Sequence, residues 1–162
     1  MELALTRLSS LVAETRMSTV LFYEKPGCIN NTKQKVLLAA AGHTVQAKNL
    51  LTEKWTAARL RAFFGDLPVA EWFNPSAPRV RDGEIWPHKL SGDQAIALML
   101  REPLLIRRPL LQVDEEYRVG FDQDAVDRWI GLSSKARDRE DLETCPRQTG
   151  KLHAASCMES SG

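Results

Sequence analysis

The chain has 162 residues, 43% of them hydrophobic and 27% charged, with 22 Lys+Arg set against 21 Asp+Glu. That length holds one ordinary domain with room for tails, and the hydrophobic fraction excludes wholesale disorder. A formal charge of +1 gives no overall pull towards nucleic acid or anionic lipid, and the apolar runs at residues 36–41 and 95–100 fall far short of the roughly 20 residues of a membrane span.

Residues 1–17 show weak helical spacing (Leu3, Leu8, Leu11, Val12) and lack the uninterrupted apolar stretch of about 7–15 residues that a signal peptide needs. Two readings fit this N-terminal extension, an added helix or a natural start at Met17, and the compact pattern that begins right after Met17 favours the second. Residues 19–23 (Thr-Val-Leu-Phe-Tyr) form the β-branched and aromatic run of a buried strand. A loop over 24–31, Glu-Lys-Pro-Gly-Cys-Ile-Asn-Asn, leads into a helix over 32–41, with Asn30 or Asn31 as its cap and Gly42 as its stop. Residues 44–50 suit a second strand, and Thr52 caps a helix over 53–64 closed by Gly65. A helical crossover of that length implies parallel strands.

The middle is less regular. Residues 68–73 suit a short helix, and 74–87, holding Pro75, Pro78, Gly83 and Pro87, suit a loop. Ser91-Gly-Asp-Gln94 has capping-box spacing and opens a helix that runs through Arg101 to the stop at Pro103. Residues 104–106 and 110–113 read as strand on either side of Arg107-Arg108-Pro109, 114–116 turn the chain, and 117–121 return as a hairpin strand. Asp122 caps a last helix carrying Ala125, Val126, Trp129 and Ile130, with Gly131 after it. One domain over 18–132 results. Residues 133–162 are rich in Ser, Gly and balanced charges, cannot bury enough surface to offset chain entropy, and are expected to be a disordered tail.

Cys28, Cys145 and Cys157 form no dense disulfide framework, and no paired Cys or His spacing suggests a metal site, so the expected setting is the reducing cytoplasm with free thiols. Cys28 is the most informative position. It follows a strand, sits beside Pro26 and Gly27, and precedes a helix, whose N-terminus carries unpaired N–H groups and roughly half a positive charge. A thiolate is favoured there and serves as a nucleophile. Gly27, Asn30 and Asn31 suit a tight loop whose amides face an anion. The plainer alternative is a buried Cys acting as a small hydrophobe; the strand-to-helix turn favours the reactive reading. Asn31 stands where a Cys-x-x-Cys motif would place its second sulfur, so a reactive Cys28 needs an external thiol, glutathione or a glutaredoxin, to resolve it; the tail cysteines read as incidental.

Arg107 and Arg108 interrupt an apolar run. Strand geometry would send them to opposite faces, one solvated and one turned towards an anion or thiolate. Arg107 is read as the charged edge, Arg108 as the inward group, and Pro109 as a candidate cis proline.

The order strand, Cys-loop, helix, strand, helix, helical insert, Arg-Pro hairpin and helix resembles the thioredoxin-like fold of the arsenate reductase (ArsC) and Spx family over about 18–132. The segments that carry the resemblance are Phe22-Tyr-Glu-Lys-Pro-Gly-Cys-Ile-Asn-Asn-Thr-Lys-Gln-Lys35 and Leu105-Ile-Arg-Arg-Pro109. The first is most similar to the branch called nitrogenase-associated proteins, found near nitrogen-fixation genes. The resemblance implies an α/β mixed sheet flanked by helices with a helical insert, Cys28 as the redox cysteine, and Arg108 with Pro109 as the oxyanion-facing arginine and its commonly cis proline. It also implies departures. Glu24 replaces a histidine four residues before the cysteine, and arginine positions near Asn74 and Phe121 are not arginine here. Arg79, Arg81 or Lys89 are the candidates to replace them.

Two functions follow. One is a thiol-dependent oxidoreductase with no bound cofactor; the other is a non-catalytic accessory protein that contacts a nitrogenase-related partner through aromatics such as Trp72, Phe73 and Trp86. A regulator of the Spx kind fits less well, since near-zero charge disfavours nucleic acid and the loop lacks a Cys pair.

Overall fold

The computed structural model describes residues 17–132; the N-terminal extension before Met17 and the tail from 133 lie outside the described residues. Four strands form one mixed sheet in the order β2-β1-β3-β4: β1 (Thr19–Glu24), β2 (Thr44–Asn49), β3 (Leu110–Val113) and β4 (Glu116–Val119). β1 and β2 run parallel, with Thr19 opposite Thr44 and Glu24 opposite Asn49. β3 is antiparallel to β1, with Tyr23 opposite Leu110, and β4 returns antiparallel to β3.

Side chains alternate across the pleat. Val20 and Phe22 of β1, with Leu111 and Val113 of β3, face α1 (Ile29–Ala40) and α5 (Gln123–Ile130) in one core with Leu37, Leu38, Val126 and Ile130. Tyr23 and Leu110 face the opposite core, filled by Leu60, Phe63 and Phe64 of α2 (Ala57–Phe64) and Ala95, Ile96 and Met99 of α4 (Gly92–Arg101). The result is the expected α/β sandwich of one sheet between two helical layers. The capping box of α4 is complete: Ser91 Oγ accepts from the Gln94 N–H and Gln94 Oε1 from the Ser91 N–H. Asp122 Oδ1 accepts the Ala125 N–H to open α5.

Several boundaries differ from expectation. α1 starts at Ile29 with Cys28 at its N-cap, so Asn30 and Asn31 lie inside the first turn rather than in the loop. α2 is capped by Thr56, whose Oγ1 accepts the Arg59 N–H, and not by Thr52; ahead of it the Trp55 indole N–H reaches back to the Leu50 carbonyl. Residues 74–87 are not loop throughout, since Pro78 opens the short α3 (Pro78–Arg81) and Pro87 a 3-10 turn at its end. Residues 104–106 are not a strand: Pro103–Leu105 is a 3-10 turn, and Ile106 makes a single antiparallel bridge with Phe73. Proline at a first helical position has the right φ and lacks an N–H that would be unpaired there anyway, which accounts for all three openings.

Candidate functional site around Cys28

Cys28 lies at the end of the sheet where β1 stops. The Cys28 N–H donates to the Lys25 carbonyl at 3.2 Å, closing the turn, and Gly27 supplies its positive φ of 78°. No atom lies within 4 Å of where a Gly27 Cβ would stand, so conformation rather than space calls for glycine. At the N-cap the Cys28 carbonyl accepts both the Thr32 N–H and the Thr32 hydroxyl at 3.1 Å. The Cys28 side chain makes no capping hydrogen bond, and the residue is half-buried rather than sealed in the core. An N-cap cysteine of this kind stands beside the unpaired N–H groups and partial positive charge of a helix N-terminus, which favour a thiolate.

Two side-chain contacts beneath the loop escape a reading by segment. Asn31, fully inside, accepts the Lys25 N–H on Oδ1 at 3.3 Å and donates from Nδ2 to Gln34 Oε1 at 2.9 Å. Its amide is thus committed to the protein, not turned outward to an anion. Glu24 pairs with Lys35 at 2.9 Å, so the carboxylate that replaces the family's histidine has its charge offset. Helical spacing of Asn31 and Gln34 three residues apart was the available signal for the first; the second joins a strand to a helix and had none.

Because β3 is antiparallel to β1 and Tyr23 lies opposite Leu110, the segment before β3 reaches the same end of the sheet as the Cys28 loop. The Arg108–Pro109 peptide bond is cis, Pro109 is buried, and its carbonyl accepts the Gly120 N–H at 2.9 Å. Arg107 and Arg108 precede the strand instead of lying in it, so the expected opposite-face arrangement does not apply. Arg107 is tied back: its N–H donates to the Trp72 carbonyl and its guanidinium to the Glu71 carbonyl. Half-buried Arg108 forms no ion pair with any carboxylate among the described residues.

The other two arginine positions of the resemblance have structural occupants. Asn74 donates to the Leu104 carbonyl and accepts from the Ser76 N–H, while Phe121 is buried in the α1/α5 core. The candidate substitutes are engaged: Arg79 with Glu84 and Glu102, Arg81 with Asp82, and Lys89 over the Trp86 ring. The hydrogen bonds that the Arg79 guanidinium donates to Glu102 and then to Glu84 hold it above its ordinary range. Trp72 and Phe73 are buried, which removes them from any partner surface; Trp86 is 53% exposed. Among the described residues no group of three His, Cys, Asp or Glu side chains is placed to hold a metal ion, and no helix is long and apolar enough to cross a membrane.

A mixed sheet between two helical layers, with a cysteine at the first strand-to-helix turn and a cis proline before the antiparallel strand beside it, defines a thioredoxin-like domain. The model of the ArsC family matches residues 27–129. A protein of Rhodospirillum rubrum, named as a 15.7 kDa protein in the draG 3' region, is 54% identical over 132 residues, spanning 82% of this chain and 91% of its own. Among solved structures, an ArsC family related protein from Bacteroides fragilis superposes with a TM-score of 0.60 at 23% identity over 68% of this chain and 97% of its own. An arsenate reductase from Vibrio cholerae superposes with a TM-score of 0.54 at 23% identity, covering 64% and 91%. At those identities the structures speak for the fold alone. The chain belongs to the ArsC family.

Proposed function

We propose that this protein is a thiol-dependent oxidoreductase in which Cys28 is the nucleophile and Arg108 the anion-facing cation. The observation that carries the reading is a half-buried Cys28, its side chain uncommitted to capping, at the N-terminus of α1 and at the sheet end that also bears Arg108. In the simplest cycle the Cys28 thiolate attacks one sulfur of a disulfide, the S–S bond breaks, and the other sulfur leaves as a thiolate. A second external thiol, of glutathione or a glutaredoxin, then attacks the mixed disulfide and returns Cys28 to the thiol. No bound cofactor takes part.

Arsenate is a poor candidate substrate. It carries one to two negative charges, and each charge-assisted hydrogen bond contributes roughly 1.5–3 kcal/mol. With Asn74 and Phe121 at two of the three arginine positions, most of that stabilisation is missing. Incubation with glutathione disulfide followed by peptide mass spectrometry tests the proposal. A glutathione adduct on the Cys28 peptide, lost in Cys28→Ser, is the expected result; an unmodified Cys28 peptide overturns it.

A second reading draws on the name of the Rhodospirillum rubrum relative, which sets it beside draG, and on the exposed Trp86. It makes the protein a non-catalytic accessory factor of nitrogen fixation that binds a nitrogenase-related partner. Co-purification from nitrogen-fixing cells decides between the two: a partner captured equally by wild type and Cys28→Ser, and less by Trp86→Ala, supports the accessory role.

A further inference from the structure

Among the described residues, Lys25 and Arg108 share a condition that no other lysine or arginine has. Both are half-buried, and neither side chain has an ion pair, a hydrogen bond or an aromatic ring as partner. Lys48, Lys54, Arg101 and Arg128, which also lack a partner there, are exposed. Water serves an exposed charge well; a charge drawn partly out of water costs free energy unless something of opposite sign meets it. The carboxylate next to Lys25 in the chain, Glu24, is held by Lys35.

The fold brings these two cations together at Cys28. Pro26, the positive φ of Gly27 (78°) and the bond from the Cys28 N–H to the Lys25 carbonyl make residues 25–28 a type II turn. The α-carbons of Lys25 and Cys28 are therefore less than about 7 Å apart. Asn31 Oδ1 accepts the Lys25 N–H from beneath, so the backbone that carries the lysine is held on both sides. The pairing of β1 with β3 sets Tyr23 opposite Leu110, and carried two residues further it sets Lys25 across from Arg108. Like charges across a strand pair repel, and negative charge placed between them removes that repulsion. The guanidinium fork takes one carboxylate in two bonds, and the ammonium has three donors for another.

We infer, resting on the nucleophile reading of Cys28, that Lys25 is a second anion-binding side chain of the site, and that with Arg108 it selects disulfides with a carboxylate on either side of the reacting sulfur. The Cys28 thiolate attacks that sulfur, the S–S bond breaks, and the other sulfur leaves as a thiolate and takes a proton from water. The half bonded to Cys28 keeps its two carboxylates against Lys25 and Arg108. A thiolate of the glutathione class then attacks the same sulfur, Cys28 leaves as a thiolate, and the two-carboxylate half departs as a disulfide of the attacking thiol. Charge that Asn74 and Phe121 do not supply thus comes from the turn that carries the cysteine.

The test uses the full chain and follows adduct formation on the Cys28 peptide by mass spectrometry with two probes. Glutathione disulfide has a carboxylate at either end of each tripeptide; hydroxyethyl disulfide is neutral. The ratio of the two rates is measured, since a change in the thiol itself moves both alike. Lys25→Gln should lower the ratio about fivefold, and Lys25→Arg should restore it to within about twofold. Arg128→Gln, at the end of α5 that lies by the start of β1, should change it less than about twofold. With glutathione disulfide esterified at its glycine carboxylates, either Lys25→Gln or Arg108→Gln should lose its effect while the other keeps it. A ratio that is unchanged in Lys25→Gln, lowered as far by Arg128→Gln, or not restored by Lys25→Arg overturns the inference, as does an ester equally sensitive to both variants. Inorganic phosphate that abolishes the wild-type preference where chloride of equal ionic strength does not also overturns it, assigning the two cations to an inorganic oxyanion. Failure of the underlying reading looks different: wild-type Cys28 then reacts with neither probe.

Discussion

Asn31→Leu removes the amide that holds the Cys28 loop from below while keeping a side chain of similar size. Wild-type Asn31 accepts the Lys25 N–H and donates to Gln34 Oε1, and the Lys25 carbonyl in turn accepts the Cys28 N–H. Leucine strands one donor and one acceptor, and a stranded buried polar group costs about 1–3 kcal/mol. The Asn31–Gln34 bond is short and buried and belongs at the upper end of that range. The Lys25 bond is 3.3 Å and part-buried and belongs at the lower end. Gln34 has other partners, and leucine gains about 1 kcal/mol from its extra apolar surface. The net expectation is a loss of about 2–3 kcal/mol, which for a domain of this size lowers the melting temperature by roughly 10 °C. Urea unfolding followed by tryptophan fluorescence measures the loss, and amide exchange at Cys28 shows whether the loop opens locally; the variant should exchange faster there. Stability within about 0.5 kcal/mol of wild type, with unchanged exchange at Cys28, would refute the clamp.

Lys35→Met leaves Glu24 unpaired near the loop, and the rate of Cys28 alkylation by iodoacetamide should fall twofold to tenfold, the scale of about 1 kcal/mol for a part-buried ion pair; the double variant with Glu24→Gln should recover. Arg108→Gln should slow Cys28 about tenfold against anionic glutathione disulfide and leave its rate against neutral hydroxyethyl disulfide unchanged, since only the first has a charge for the guanidinium to meet. Buried His43 accepts the Ser18 N–H on one ring nitrogen and reaches the Gly131 carbonyl with the other at 2.7 Å, joining the start of β1 to the end of α5. His43→Phe strands both backbone groups and should cost about 2–4 kcal/mol in urea unfolding.

The elements that were legible in the sequence are those whose ends are set by a few adjacent residues. β1 is a β-branched and aromatic run, Ser91 and Gln94 cap each other, and Asp122 caps α5 within three residues. The errors share a cause. Asn30 and Asn31 looked like caps because an Asn side chain usually turns back on its own backbone, but Asn31 turns to Lys25 and Gln34 in the interior. Thr52 and Thr56 are equally plausible caps locally, and the reach of Trp55 back to Leu50 leaves the work to Thr56. Residues 104–106 have strand composition, yet Pro103 starts a 3-10 turn and Ile106 makes an isolated bridge to Phe73, thirty-three residues earlier.

The candidate site divides along the same line. Cys28, Gly27 and Pro109 were legible because a strand-to-helix turn, a positive φ and a cis bond leave marks on neighbouring residues. What surrounds them was not, because the Glu24–Lys35 pair and the approach of Arg108 to the Cys28 end of the sheet exist only once β1 has found α1 and β3. The inverted face of α1 shows why the two kinds of information must be read together. The fold places Asn30, Asn31 and Gln34 inside and leaves Ile29 and Val36 outside. The inward half of that placement is accounted for by the bonds Asn31 makes to Lys25 and Gln34. Its outward half leaves Ile29 and Val36 exposed, because helical spacing fixes which residues share a face but not which face the sheet covers.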